Sequence, residues 1–135
     1  MTDLSKSLAP QVGLILKELG RVSNRNANEH GFYDSYNAIK MCILDAPYPD
    51  EEKERMLREY ETQWQLCRLF LMVTEIAEAG EDIRKGNTEH LGEEYADLVI
   101  RTVDNAYAAE IDLGAEVTRK MTINHNRPFM HGKSA

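Results

Sequence analysis

The chain has few cysteines, little proline, no long apolar run and no excess of positive charge. Among its 135 residues are two cysteines, four prolines and one tryptophan. Two thiols do not make a disulfide scaffold. Cys42 and Cys67 both sit in apolar sequence surroundings and are expected to be buried free thiols, which suits a reducing cytoplasm. The longest obvious apolar stretch, Leu69 to Val73, falls far short of the roughly 20 residues of a membrane span, so no membrane contact is expected. Met1-Thr2-Asp3 opens without a basic stretch and apolar core, so no secretory signal is expected. The net charge of −7 argues against duplex nucleic acid as a partner, because phosphate backbones select basic surfaces. A nucleotide is not excluded, since a metal ion can carry positive charge into an acidic site.

Strand signals are also missing. Alternating β-branched runs are absent, and apolar residues recur at helical spacing. With 42% hydrophobic and 29% charged residues, residues 1–135 read as one soluble all-α domain. A first helix is expected over Pro10 to Leu19, extending to about Asn26, with Pro10 in its first turn. His30-Gly31-Phe32 reads as a corner and Tyr36 to Leu44 as a short helix. The Pro47-Tyr48-Pro49 loop precedes a long helix that Asp50 can cap. That helix runs to Lys85, where Gly86-Asn87 ends it. Another helix is expected from about Thr88 to Glu110. Asp112 caps a last one reaching Asn126 before Pro128.

The long helix carries two apolar stripes. Leu57, Tyr60, Trp64, Cys67, Leu71 and Thr74 make one; Leu66, Leu69, Phe70, Val73, Ile76 and Ala77 make the other. One can face the chain's own core. The second asks for a further surface, and a sister subunit is the simplest supplier, giving a helical bundle completed by homo-oligomerisation.

Beyond Thr74 the first stripe turns acidic at Glu75 and Glu78, which are neighbours on one helix face. The next helix repeats the arrangement with Glu94 and Asp97. If the two helices pack antiparallel, the four carboxylates face one another and require compensation. Magnesium, or manganese, suits such oxygen ligands and keeps positions open for substrate phosphates. Two alternatives stand on spacing alone: acids at helical spacing commonly lie on a solvated face, and Glu78 with Glu81 fits the pattern as well as Glu75 with Glu78. On the last helix Lys120, Asn124 and Arg127 fall on one stripe and can hold phosphate oxygens. They can equally offset the helix C-terminal dipole. Lys133 can join them. Glu-x-x-His pairs are absent, which disfavours a di-iron bundle, and the histidines lack zinc-ligand spacing.

These motifs resemble the MazG-like, all-α nucleoside triphosphate pyrophosphohydrolases. The resemblance rests on Glu75-x-x-Glu78 with Glu94-x-x-Asp97. It also rests on Glu93-Glu94-Tyr95-Ala96-Asp97-Leu98-Val99-Ile100-Arg101, and on Lys120-x-x-x-Asn124-x-x-Arg127-Pro128 followed by His131-Gly132-Lys133. It covers about Leu66 to Lys133 and selects Glu75 and Glu78 over Glu78 and Glu81. The first half of the chain matches less clearly. The resemblance implies magnesium-dependent cleavage between the α- and β-phosphates of a (deoxy)nucleoside triphosphate, giving monophosphate and pyrophosphate, as in nucleotide-pool sanitation. It also implies a homodimer or homotetramer.

In that reading Glu75, Glu78, Glu94 and Asp97 bind the metal and one of them acts as general base. Lys120, Asn124, Arg127 and Lys133 hold phosphates. Asp104, seven residues after Asp97, is a candidate for a supporting role beside Lys120, for a metal ligand, or for a structural ion pair. Trp64, Phe32 and Tyr36 are candidates to stack a base, although Trp64 also suits the core. The competing reading is a non-catalytic helical oligomer that binds nucleotides or a protein and keeps a vestigial site.

Overall fold

The computed structural model describes residues 4–127, with side chains from residue 10 onward. The described residues form five helices and no strand: α1 (Leu4–Glu29), α2 (Asp34–Asp45), α3 (Asp50–Lys85), α4 (Leu91–Ala108) and α5 (Leu113–His125). Among the described residues, no helix is long and apolar enough to cross a membrane. Pro128, His131, Gly132, Lys133 and the rest of the tail, for which the sequence raised expectations, lie outside the described residues.

Helix α4 is the centre, packed between α1 and α3, while α2 leans on α3 and α5 on α1. Helices α3 and α4 are antiparallel. Positions that rise along α4 meet positions that fall along α3: Glu94 and Arg101 lie at Glu75, and Asp104 and Asn105 at Arg68. The turn between them is set by Gly86, whose φ of 72° is left-handed, a region glycine enters without a Cβ penalty. The Asn87 N–H then donates to the Asp82 carbonyl at 2.9 Å, closing the end of α3 as a Schellman turn. At the start of α5 the Asp112 carboxylate accepts the Ala115 N–H at 3.0 Å, as its residue type and position indicate.

Several boundaries differ from expectation. Helix α1 begins at Leu4, so Pro10 sits inside it and not in its first turn. The helix therefore runs through a position that donates no backbone hydrogen bond. Asp50 is the first residue of α3 and makes no capping hydrogen bond; Pro49 takes the cap position. Helix α4 starts at Leu91, later than Thr88. The His90 carbonyl receives the N–H groups of Glu93 and Glu94, which defines the first turn. The helix ends before Glu110, which is itself left-handed at φ 56°.

The face of α3 that packs inward also differs. After Trp64 it continues through Arg68, Met72, Glu75 and Ala79, whereas Cys67, Leu71 and Thr74 are exposed. Both cysteines are free and exposed, so the expectation of buried thiols fails in the single chain. Buried hydrophobics are few (Tyr33, Ile43, Ala79, Val103 and Ala106), and Leu66, Leu69, Phe70, Val73 and Ile76 stay exposed on α3. Close helix approach supplies packing elsewhere. A Cβ on Gly20 would lie 3.0 Å from the Val103 carbonyl, and one on Gly114 only 2.4 Å from the Gly13 Cα.

Candidate metal centre on the α3–α4 seam

The register of α3 places Glu75 and Glu78 one turn apart, and the first turn of α4 brings Glu94 across from them. Carboxylate oxygens of these three residues lie within 4.8 Å of one another. Glu75 is 6% exposed, and its Oε1 accepts the Arg101 Nε–H at 2.7 Å. Glu94 is half-buried. Its Oε2 is shielded from solvent and has no hydrogen-bond partner among the described residues. Burial pushes the Glu94 carboxyl above the usual carboxylate range, and the charges of Glu78, Glu75, Asp82 and Asp97 push it the same way. Glu75 and Glu94 open on a cleft of about 260 Å³ walled by Ile76, Ala79, Ile83, Tyr95 and Leu98. Apolar walls make each charge more expensive to hold without a counter-charge. Three convergent oxygen donors, one of them orphaned, fit a hard divalent cation.

Asp97 is exposed and stands outside this group of three, although its charge reaches Glu94. Glu81 faces another way. Its carboxylate accepts from Arg84 at 2.8 and 2.7 Å and lies 3.1 Å from Lys85, and these cations hold its pKa down at about 2. Lys120 and Asn124 are exposed on α5, which packs on α1, and Arg127 follows that helix. Neither Lys120 nor Asn124 is joined to the acids by a hydrogen bond or ion pair among the described residues.

Two residues at the site were not singled out from the sequence, Arg101 and Asp82. Each follows a candidate ligand by four residues, Asp97 and Glu78 respectively, so helical spacing held the signal.

Further along the same seam Asp104 forms a different centre. It is 7% exposed and pairs with Arg68. Its Oδ1 also accepts the Tyr33 hydroxyl and the Asn24 amide, both at 2.8 Å. This is a structural ion pair tying α1, α3 and α4 together; its partners are not Lys120 and it is not in the acidic group. Burial, and then the bond to Asp104, raise the Tyr33 pKa, so the phenol stays a neutral donor.

Arg68 lies 4.6 Å from the Trp64 ring centre and 4.8 Å from that of Tyr33. Trp64 packs against Tyr36 with centroids 4.3 Å apart, and Tyr36 stacks on Tyr60 at 5.6 Å. Tyr36, Trp64, Arg68, Met72 and Asn105 border a cleft of about 370 Å³. Trp64 is thus both part of the packing and part of a cleft wall. Phe32 is 71% exposed at the α1–α2 corner, away from that cleft.

Comparison with protein-family models, curated proteins and solved structures gave no match.

Proposed function

We propose that this chain is a MazG-like nucleoside triphosphate pyrophosphohydrolase that works in the cytoplasm on the nucleotide pool. The observation that carries the reading is the convergence of Glu75, Glu78 and Glu94 with the buried Glu94 Oε2 unpaired. Such a group is costly to keep in place unless a cation meets it. Glu75, Glu78 and Glu94 would hold Mg2+, or Mn2+, with Asp97 an outer member of the same acidic face. When bound, the ion would supply Lewis acidity and neutralise phosphate charge at the scissile α–β bond.

The chain's own residues do the rest. The buried Glu75 is fixed by Arg101, and one carboxylate accepts a proton from the attacking water. The apolar walls of Ala79 and Leu98 limit the water that competes for the phosphates. The aromatic cleft begins at Met72, less than one turn before Glu75. From Arg68 to Glu75 the helix rises about 10 Å. A nucleotide can then lie along the seam with its base against Tyr36 and Trp64 and its phosphates at the acids.

The exposed Leu66, Phe70, Val73 and Ile76 suit burial against a second copy in a homodimer or homotetramer. Lys120, Asn124 and Arg127 then serve the phosphates from a neighbouring subunit's α5, since the chain's own α5 packs on α1.

The test is turnover of a panel of ribo- and deoxyribonucleoside triphosphates with Mg2+, quantifying monophosphate and pyrophosphate. Equimolar release of the two is expected. Release of inorganic phosphate rejects the proposed bond. Metal-dependent thermal stabilisation with no turnover rejects catalysis in favour of a binding protein.

A further inference from the structure

Among the described residues, the single ion pair to Glu75, Glu78 or Glu94 comes from Arg101. This arginine lies on α4 two turns after Glu94, so the Glu75 carboxylate sits between the Glu94 carboxylate and the guanidinium. Its Nε is committed to Glu75 at 2.7 Å. Its two terminal amines take no partner among the described residues, and its side chain is 39% exposed, so an anion in solvent can reach it.

This geometry has a directional consequence. A guanidinium is planar, so anchoring Nε on a buried carboxylate fixes the plane in which the other donors lie. Two parallel N–H groups then remain to match two oxygens of one phosphate. A purely acidic rim would repel a polyphosphate even with a divalent ion in place. A fixed guanidinium beside the acids offsets part of that repulsion and costs little ordering when the anion arrives.

We propose that Arg101 contacts the phosphate chain of a polyphosphate bound over Glu75, Glu78 and Glu94, with Glu75 shared between this guanidinium and the divalent cation. The proposal rests on the pyrophosphohydrolase reading and adds to it a phosphate-contacting residue from the same chain as the acids.

The test is calorimetric titration of the full chain, first with Mn2+ alone and then with pyrophosphate at saturating Mn2+. Wild type, Arg101→Gln and Arg101→Lys are compared. Glutamine keeps a donor for Glu75 but removes the charge and the fork. Its fold is checked by circular dichroism and melting. Arg101→Gln is expected to lose pyrophosphate affinity by about tenfold or more beyond whatever Mn2+ affinity it loses through the freed Glu75, as for one lost charge-assisted hydrogen bond. Arg101→Lys keeps charge without the fork and falls between. Unchanged pyrophosphate affinity in Arg101→Gln overturns the proposal while leaving the metal site standing. Equal losses of Mn2+ and pyrophosphate also overturn it, because Arg101 then only holds Glu75. Absence of Mn2+ binding in wild type removes the underlying reading and this proposal with it. If Arg101→Gln does not fold, Arg101→Lys decides, and wild-type pyrophosphate affinity in it counts against the bidentate contact.

Discussion

Two buried carboxylates lie on the seam between α3 and α4, and their surroundings are opposite. Asp104 faces an arginine, a phenol and an amide, so both of its oxygens are met by donors. Glu75 faces one arginine and two further glutamates, and the nearby Glu94 Oε2 meets no hydrogen-bond partner among the described residues. The first centre is electrically closed and joins three helices. The second holds more like charge than its own partners offset. Two carboxylates of comparable depth in the same seam thus belong to different groups, one that ties helices together and one that could hold a cation.

Breaking the closed centre is expected to have the largest effect. Asp104→Ala leaves Arg68 buried without its charge partner and should cost about 3–5 kcal/mol in stability, read from denaturant unfolding. Unfolding midpoints equal to wild type would show that the pair is not structural. The open centre should respond with the reverse sign. Glu94→Gln removes one of the mutually repelling charges, so the metal-free protein should melt at a higher temperature. Its Mn2+ affinity and turnover should drop by more than about tenfold, at least what loss of an outer partner does at metal sites. A lower metal-free melting temperature would contradict the contrast between the two centres.

A smaller effect sharpens the same contrast. Tyr33→Phe deletes one of three donors to Asp104 and should cost about 1 kcal/mol, measurable by the same unfolding curves. The smallest effect concerns pH. Folding raises the Glu94 pKa above its ordinary 4.5, so the folded state binds the proton more tightly than the unfolded state. Its contribution is complete below the ordinary value and is lost as pH rises through the raised one. The metal-free wild type should therefore lose melting temperature relative to Glu94→Gln between acidic and neutral pH, and added Mg2+ should close the gap. A pH-independent difference would break this link.

Much of the site was legible in the sequence. The two acidic pairs, the Gly86 turn and the Asp112 cap follow from spacing and residue type, whereas the choice of Glu75 with Glu78 over Glu78 with Glu81 came from the resemblance. Arg68 and Arg101 were not legible as inward residues, because pattern reading assigns long cations to solvent. Their stems pack while their heads seek carboxylates. For the same reason the inner stripe was traced through Cys67 and Leu71. Steps of three and four from Trp64 lead equally well through Arg68 and Met72, and the buried acids select that second path. Pro10 inside α1 was hidden because a helix of 26 residues tolerates one lost hydrogen bond. The placement of α5 on α1 was not legible, since spacing along one helix carries no information about its neighbour.

The packing of α1 against α4 and α5 also sets an order of events. Helix α1 has its two neighbours far along the sequence, whereas α3 and α4 are joined by a short turn and can zip together locally. Distant pairings are slower to form than local ones. The α3–α4 hairpin, with its crowded carboxylates, is therefore expected to assemble before α1 docks. Pulse-labelled hydrogen exchange would show this as earlier protection of α4 amides than of α1 amides, and the reverse order would exclude it.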